Sequence, residues 1–90
     1  MIKILDFYAP WCAPCKTLAP IIEEGAKEFN VELIKINVDE EDDLSEEYGI
    51  RSIPTLILEK NGKQVDRIIG LAPKSRIMEL INKYVNESNS

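Results

Sequence analysis

The chain has 90 residues, of which 44% are apolar and 30% are charged. This composition predicts one compact globular domain over residues 1–90, because disordered chains carry fewer large apolar residues. The net charge is −5, and lysine and arginine form no cluster, so we expect no nucleic-acid partner. Asp6 interrupts the N-terminal apolar residues before they could form a signal-peptide core or a membrane span. We therefore expect a soluble, cytoplasmic protein with no membrane partner.

The first half of the chain has the pattern of a strand, a helix and a second strand. Residues 2–8 (IKILDFY) are almost wholly apolar, with Asp6 as the anomaly, which is typical of a central strand covered on both faces. Residues 31–38 (VELIKINV) predict the second strand. Between them, apolar residues recur with helical spacing, at Leu18, Ile21, Ile22, Ala26 and Phe29. Such a unit implies two parallel strands joined by a right-handed crossover.

The second half predicts a short helix, a hairpin and a last helix. Gly49 is placed to end the short helix, and Asn61-Gly62 suits a tight turn between strands at residues 55–59 and 64–69. Pro73 starts the last helix, whose apolar positions are Ile77, Leu80, Ile81, Tyr84 and Val85. The predicted order is βαβαββα, an α/β fold with a mixed sheet and helices on its faces.

An acidic run, DEEDD, occupies residues 39–43. We interpret it as the solvated first turn of the short helix, where negative charge complements the helix dipole. A docking surface for a basic partner is the alternative.

The two cysteines lie where the first strand gives way to the first helix. Cys12 is expected at the N-terminus of the helix, where free N–H groups stabilise a thiolate and lower the pKa of the thiol. Cys15 lies one turn later, within reach for a disulfide, and Pro14 suits a first turn that needs no N–H. A ring this short gives little stabilisation, so we expect the bridge to serve chemistry.

A zinc site is the alternative reading of this C-x-x-C motif. Zinc takes about four ligands, whereas the chain has two cysteines and no histidine, so zinc would require dimerisation or carboxylate ligands. At a strand-to-helix junction in a βαβ unit, the motif instead favours redox chemistry.

Several segments together resemble the thioredoxin family over residues 4–81. They are Asp6-Phe7-Tyr8-Ala9, Trp11-Cys12-Ala13-Pro14-Cys15-Lys16, Ala19-Pro20, Lys35-Ile36-Asn37-Val38-Asp39, Tyr48-Gly49-Ile50-Arg51-Ser52-Ile53-Pro54-Thr55 and Asn61-Gly62. The resemblance implies the thioredoxin fold, with a four-stranded mixed sheet and helices on both faces. It also implies a monomeric protein-disulfide reductase that needs no cofactor beyond its redox-active disulfide and is recharged by a thioredoxin-reductase-type donor.

The resemblance assigns Cys12 as the exposed nucleophile and Cys15 as the more buried resolving thiol, which must lose a proton to attack Cys12. Asp6 is similar to the family's buried aspartate, and burial should raise its pKa toward the range useful for accepting that proton. The alternative is a structural carboxylate paired with Lys35. Lys35 is similar to the family lysine that modulates the acid, although most strand lysines face solvent.

A cis Ile53-Pro54 bond is also implied by the resemblance, since few X-Pro bonds are cis in general. It would bring this loop beside the cysteines to receive the substrate backbone. The implied substrate surface comprises Trp11, Ala13, Pro14, Ile53, Pro54, Gly70 and Ala72. Ordinary packing for Trp11 and a simple loop glycine at Gly70 are the alternatives.

Three departures from the family pattern stand out. Longer members carry a strand and a helix before the segment that begins here at Met1, so the sequence resembles a shortened member. Ala13 and Ser52 each replace a usual glycine, which bears on the redox potential and on the choice of reductase. A glutaredoxin-like enzyme would be expected to have tyrosine between its cysteines and a glutathione site. A non-catalytic docking subunit is the alternative from a different class.

Overall fold

The computed structural model describes residues 1–89, which form seven helices and strands in the predicted order βαβαββα. They are β1 (Ile2–Tyr8), α1 (Ala13–Glu28), β2 (Glu32–Asn37), α2 (Asp42–Glu47), β3 (Thr55–Lys60), β4 (Lys63–Ile69) and α3 (Lys74–Asn89). The assignment of residues 1–90 to a single domain stays a prediction, and Ser90 lies outside the described residues. None of the helices described has both the length and the apolar character needed to cross a bilayer.

The strands form one mixed sheet in the order β2-β1-β3-β4. β1 runs parallel to β2 and antiparallel to β3, and β4 pairs antiparallel with β3. β1 is therefore an inner strand, which explains its nearly continuous apolar sequence. In this register Asp6 lies between Lys35 of β2 and Leu56 of β3.

Helices cover both faces of the sheet, as expected. On one face, α1 and α3 pack over a core of Ile4, Leu18, Ile22, Ala26, Leu56, Leu58, Ile68, Ile77, Leu80 and Ile81. On the other face, residues from α2 and the segment after it pack on Leu5, Phe7, Ile36 and Ile57. Because side chains alternate along a strand, Asp6 shares the face of Ile4 and points toward the α1 side.

The turn residues adopt the backbone conformations that their types favour. Gly49 (φ +64°) follows the end of α2, and Asn61 (φ 52°) and Gly62 (φ 83°) connect β3 to β4. Both turn predictions are thus confirmed. Left-handed conformations favour glycine and asparagine, which explains why these residue types occupy the turns.

The acidic run only partly matches its prediction. α2 begins at Asp42, so only Asp42 and Asp43 lie in its first turn. Asp39 and Glu40 lie in the turn that follows β2, where the Asp39 N–H donates to the Asn37 side chain at 2.9 Å. This local hydrogen bond competes with helix formation, as is common for asparagine.

Candidate functional site

The cysteine pair is built into the start of α1. Cys12 is the N-cap residue, with an extended backbone (φ −87°, ψ 107°), and α1 begins at Ala13. The Cys15 N–H donates to Cys12 Sγ at 3.2 Å, which is the capping geometry usually supplied by a side-chain oxygen. A donor in this position, at the positive end of the helix dipole, stabilises negative charge on the Cys12 sulfur.

Cys12 and Cys15 are joined by a disulfide, with their Cα atoms 5.2 Å apart. The resemblance implied an exposed Cys12 and a more buried Cys15, but in this oxidised form the two residues are 4% and 5% exposed. That expectation is wrong for the disulfide state. The two cysteines form one buried cluster with Ala9, and Ile53 packs against it.

Asp6 is 3% exposed. Burial is the main reason that its pKa rises from an ordinary value of 3.8 to about 6; the positive charge of Lys35 opposes the rise, and the negative charge of Glu23 adds to it. Asp6 and Cys15 both line a cavity of about 280 Å³, which Lys16 and Lys35 also line. The predicted burial is therefore confirmed, burial raises the pKa as expected, and one cavity adjoins both the carboxyl group and Cys15.

Lys35 lies beside Asp6 in the register of the sheet, but its ammonium is engaged elsewhere. Its Nζ bonds to Glu23 Oε2 at 3.1 Å and lies 5.3 Å from the centre of the Tyr8 ring. Among the ion pairs of residues 1–89, Lys35 is thus the partner of Glu23 and not of Asp6. The direct Asp6–Lys35 pair considered from the sequence is not formed in this structure.

Trp11 is 69% exposed next to the disulfide. Its indole Nε1 donates to Asp39 Oδ2 at 2.9 Å, which fixes one edge of the ring. Trp11 also lines a shallow cavity of about 220 Å³ together with Ile53. Trp11 is therefore an exposed ring held by a surface hydrogen bond, which does not favour the alternative of ordinary packing.

The Ile53-Pro54 peptide bond is cis, as the resemblance implied. The loop containing it is held by two hydrogen bonds, from Thr55 Oγ1 to the Ser52 carbonyl and from the Gly70 N–H to the Pro54 carbonyl, each 2.8 Å. Gly70 has φ +83°, a conformation that favours glycine. The loops before β3 and after β4 are therefore joined beside the cysteines.

The remaining predicted surface residues fall into two groups. Ala13 and Pro14 are exposed at the start of α1. Ala72 packs against the core between the sheet and helices α1 and α3.

Sequence reasoning missed two residues at the site as partners: Glu23, which pairs with Lys35, and Asp39, which accepts the hydrogen bond of Trp11. The packing of α1 on the sheet and the turn after β2, which bring these residues into contact, cannot be inferred from spacing along the chain.

No cluster of three or more potential metal-ligating His, Cys, Asp or Glu residues occurs in the part of the chain that the structure describes. A disulfide at the N-cap of a helix, next to a buried carboxyl group, is an arrangement suited to thiol–disulfide exchange. The fold and the site thus identify a thiol–disulfide oxidoreductase.

Comparison with known proteins identifies the family. The thioredoxin family model matches residues 1–83. A thioredoxin of Pyropia yezoensis is 45% identical over 92% of this chain and 79% of its own length. A thioredoxin of Rickettsia felis is 50% identical over 91% of this chain and 80% of its own. The solved structure of a mutant thioredoxin from Halobacterium salinarum is 39% identical, with a TM-score of 0.89 over 93% of this chain and 74% of that one.

The chain belongs to the thioredoxin family. Members of this family are protein-disulfide oxidoreductases, and their activity implies protein disulfide substrates and a reductase partner.

The burial of Asp6 predicts a pH-dependent stability. Its pKa is raised in the folded state, so the stability that it contributes is fully present below its ordinary pKa and is lost as the pH rises through about 6. Asp6→Asn removes this loss, and the oxidised variant should be more stable than wild type at pH 8 by up to about 3 kcal/mol. Urea unfolding between pH 3 and pH 8 measures the difference, which should vanish at the acidic end.

The exposed Asp43, in the first turn of α2, provides the matched control. Asp43→Asn should change the gap between acidic and neutral pH only slightly and in the opposite direction, because it removes a charge that favours the first turn of α2 at neutral pH. A stability difference for Asp6→Asn that stayed constant across the whole pH range would contradict a raised pKa for Asp6.

Proposed function

We propose that this protein reduces disulfides in other proteins, with Cys12 as the nucleophile and Cys15 as the resolving thiol. One observation carries this assignment: the Cys15 N–H donates to Cys12 Sγ at the N-cap of α1. The backbone thus stabilises negative charge on Cys12 and offers Cys15 no equivalent cap. The thiolate is the reactive form of cysteine, so Cys12 is the better nucleophile of the two.

In the first step of the reaction, the Cys12 thiolate attacks one sulfur of the substrate disulfide. A bond forms between Cys12 and that sulfur, and the other substrate sulfur leaves as a thiolate. Cys15 then loses its proton and attacks Cys12 Sγ, which closes the Cys12–Cys15 disulfide and releases the second substrate sulfur. The substrate gains two electrons, and a reductase must supply two electrons to restore the dithiol.

Asp6 is the proposed acceptor of the Cys15 proton. Its pKa of about 6 lies near neutral pH, where a general base is most effective. The cavity that Asp6 shares with Cys15, about 280 Å³ in volume, is large enough for water to relay the proton. Lys35 is the proposed modulator of this carboxyl group, because its positive charge lowers the pKa of Asp6.

The proposed substrate surface surrounds the disulfide. Trp11, Ala13 and Pro14 are exposed at the start of α1, and Ile53 packs against the cysteines. An extended substrate lying across this apolar surface would meet the loop at Pro54 and Gly70, which is held by a backbone hydrogen bond. Ala72 belongs to the same proposed surface through its position next to this loop.

We also propose that the protein acts in the cytoplasm as a monomer and is recharged by a thioredoxin-reductase-type donor. A reducing compartment is where an isolated cysteine pair serves catalysis in preference to structure. Sedimentation equilibrium should give the mass of one chain, 10.2 kDa, and a mass twice as large would contradict the monomer. Immunoblotting of cell fractions tests the location.

The assignment of the two cysteines predicts different failures in two variants. In insulin reduction by a small dithiol, wild type should accelerate the reaction, whereas Cys12→Ser and Cys15→Ser should each abolish turnover. Cys15→Ser retains the nucleophile, so after reduction and removal of the small dithiol it should accumulate a mixed disulfide with the substrate on a non-reducing gel. Cys12→Ser should accumulate none.

Two outcomes of these measurements, and one result from a variant that lacks both cysteines, would contradict the proposal. Wild type no faster than the dithiol alone would favour an oxidant, a glutathione-dependent enzyme or a docking subunit. A covalent adduct in Cys12→Ser but not in Cys15→Ser would reverse the roles. Biological activity that survived replacement of both cysteines would favour the docking subunit.

The role of Asp6 predicts a change in the pH dependence of the resolving step. The rate at which Cys15 releases substrate from the mixed disulfide should rise through about pH 6 in wild type, as Asp6 becomes able to accept a proton. Asp6→Asn should remove this rise and slow the step by roughly tenfold or more at pH 7. Stopped-flow measurement of substrate release checks both effects, with Asp43→Asn as the control. Unchanged rates and an unchanged pH profile would exclude Asp6 as the acceptor.

A further inference from the structure

Lys35 lies within reach of two carboxylates but is bound to only one of them. It faces Asp6 across the parallel β1–β2 pair, whereas its Nζ is held at 3.1 Å by Glu23, a residue of α1. The side chain of Lys35 is 39% exposed and that of Glu23 is 54% exposed, so the ion pair lies at the solvent side of the buried carboxyl group. A lysine side chain has a flexible four-carbon stem, so its ammonium is not confined to the position beside Glu23.

The charged and titratable groups around Asp6 come from three elements. α1 supplies Cys15 and Lys16, which line the shared cavity, together with Glu23. β2 supplies Lys35, and β1 itself supplies Tyr8. The β3 residue beside Asp6 in the register is the apolar Leu56. Lys35 and Glu23 are the two of these groups whose charges act on Asp6, in opposite directions.

We propose that Glu23 is a positioning residue for the exchange reaction: its ion pair with Lys35 keeps the ammonium from closing onto Asp6 and so keeps Asp6 a competent proton acceptor. This inference deepens the proposed function and rests on the role given there to Asp6. If Lys35 paired directly with Asp6, the carboxylate would be held in its ionised form and would become a weaker base toward Cys15. The electrostatics agree, since Glu23 raises the pKa of Asp6 and Lys35 lowers it.

The neighbouring residue Glu24 offers a matched control. It lies on the same helix, is 52% exposed and forms an ion pair of 2.9 Å with Lys74 at the start of α3. Glu23→Gln and Glu24→Gln therefore remove the same charge and the same kind of surface ion pair from adjacent positions. Only the first releases the lysine that faces Asp6.

The experiment measures the pKa of Asp6 directly, by carbon-13 NMR titration of its carboxyl group in the full chain. Glu23→Gln should lower the pKa of Asp6 by roughly one pH unit, because an opposite charge can then approach the carboxylate. Glu24→Gln should leave it unchanged, and Glu23→Asp, which keeps the charge, should restore most of the wild-type value. In a Lys35→Met background, Glu23→Gln should lower the pKa of Asp6 by much less, because only the direct charge effect of Glu23 remains and the lysine that it positions is gone.

Three results would overturn the inference. In the first, Glu23→Gln leaves the pKa of Asp6 unaffected. In the second, the pKa falls equally in Glu23→Gln and Glu24→Gln, and in the third, Glu23→Gln lowers it equally with and without Lys35. The second and third results would indicate an effect of lost charge alone. The rate profile of the resolving step distinguishes this failure from failure of the proposed function. If Glu23→Gln lowers the pKa of Asp6 and the inflection of the profile moves down with it, both stand. If the pKa moves and the profile does not follow, Glu23 still positions Lys35 and Asp6 is not the acceptor.

Discussion

The burial of β1 on both faces is the constraint on which the rest of the structure depends. As an inner strand, β1 packs its alternate side chains into the cores on the two sides of the sheet. This alternation gives Asp6 an interior position. A shift that turned Asp6 to the opposite face would also turn all the remaining side chains of the strand to the wrong face. Burial then raises the pKa of Asp6, and the end of the same strand leads directly into the cap of α1. One strand thus fixes both the carboxyl group and the disulfide.

The site combines rigid parts with one adjustable part. The cap hydrogen bond of Cys12 and the hydrogen bonds of the Ile53-Pro54 loop involve the backbone, and the indole bond of Trp11 joins a ring to the short side chain of Asp39. Lys35 differs, because its side chain is long and half-exposed. In the proposed role of Glu23, the ammonium of Lys35 can bind either Glu23 or Asp6. The electrostatic environment of Asp6 is therefore controlled from the surface of α1, although the carboxyl group itself is buried.

Sequence reasoning recovered the features that depend on local pattern. The order of elements, the Asn61-Gly62 turn and the position of Cys12 at the start of α1 follow from periodicity, turn residues and capping, and the structure agrees with each. The burial of Asp6 was also predictable, because both faces of an apolar inner strand are covered and a side chain on either face is therefore buried. The expected exposure of Cys12 was wrong for the oxidised form, in which the bond to Cys15 and the packing of Ile53 cover the sulfur.

By itself, the sequence determined the fold class, the redox motif and the family, because each can be recognised from patterns of residues that lie close together in the chain. Only the tertiary structure decided which charges act on Asp6. Lys35 faces Asp6 through the strand register, and Glu23 reaches Lys35 because α1 packs over that face of the sheet. These contacts join residues far apart in the chain, and their geometry depends on how the helix is seated on the sheet. No local pattern encodes that placement, since it results from the packing of the whole core.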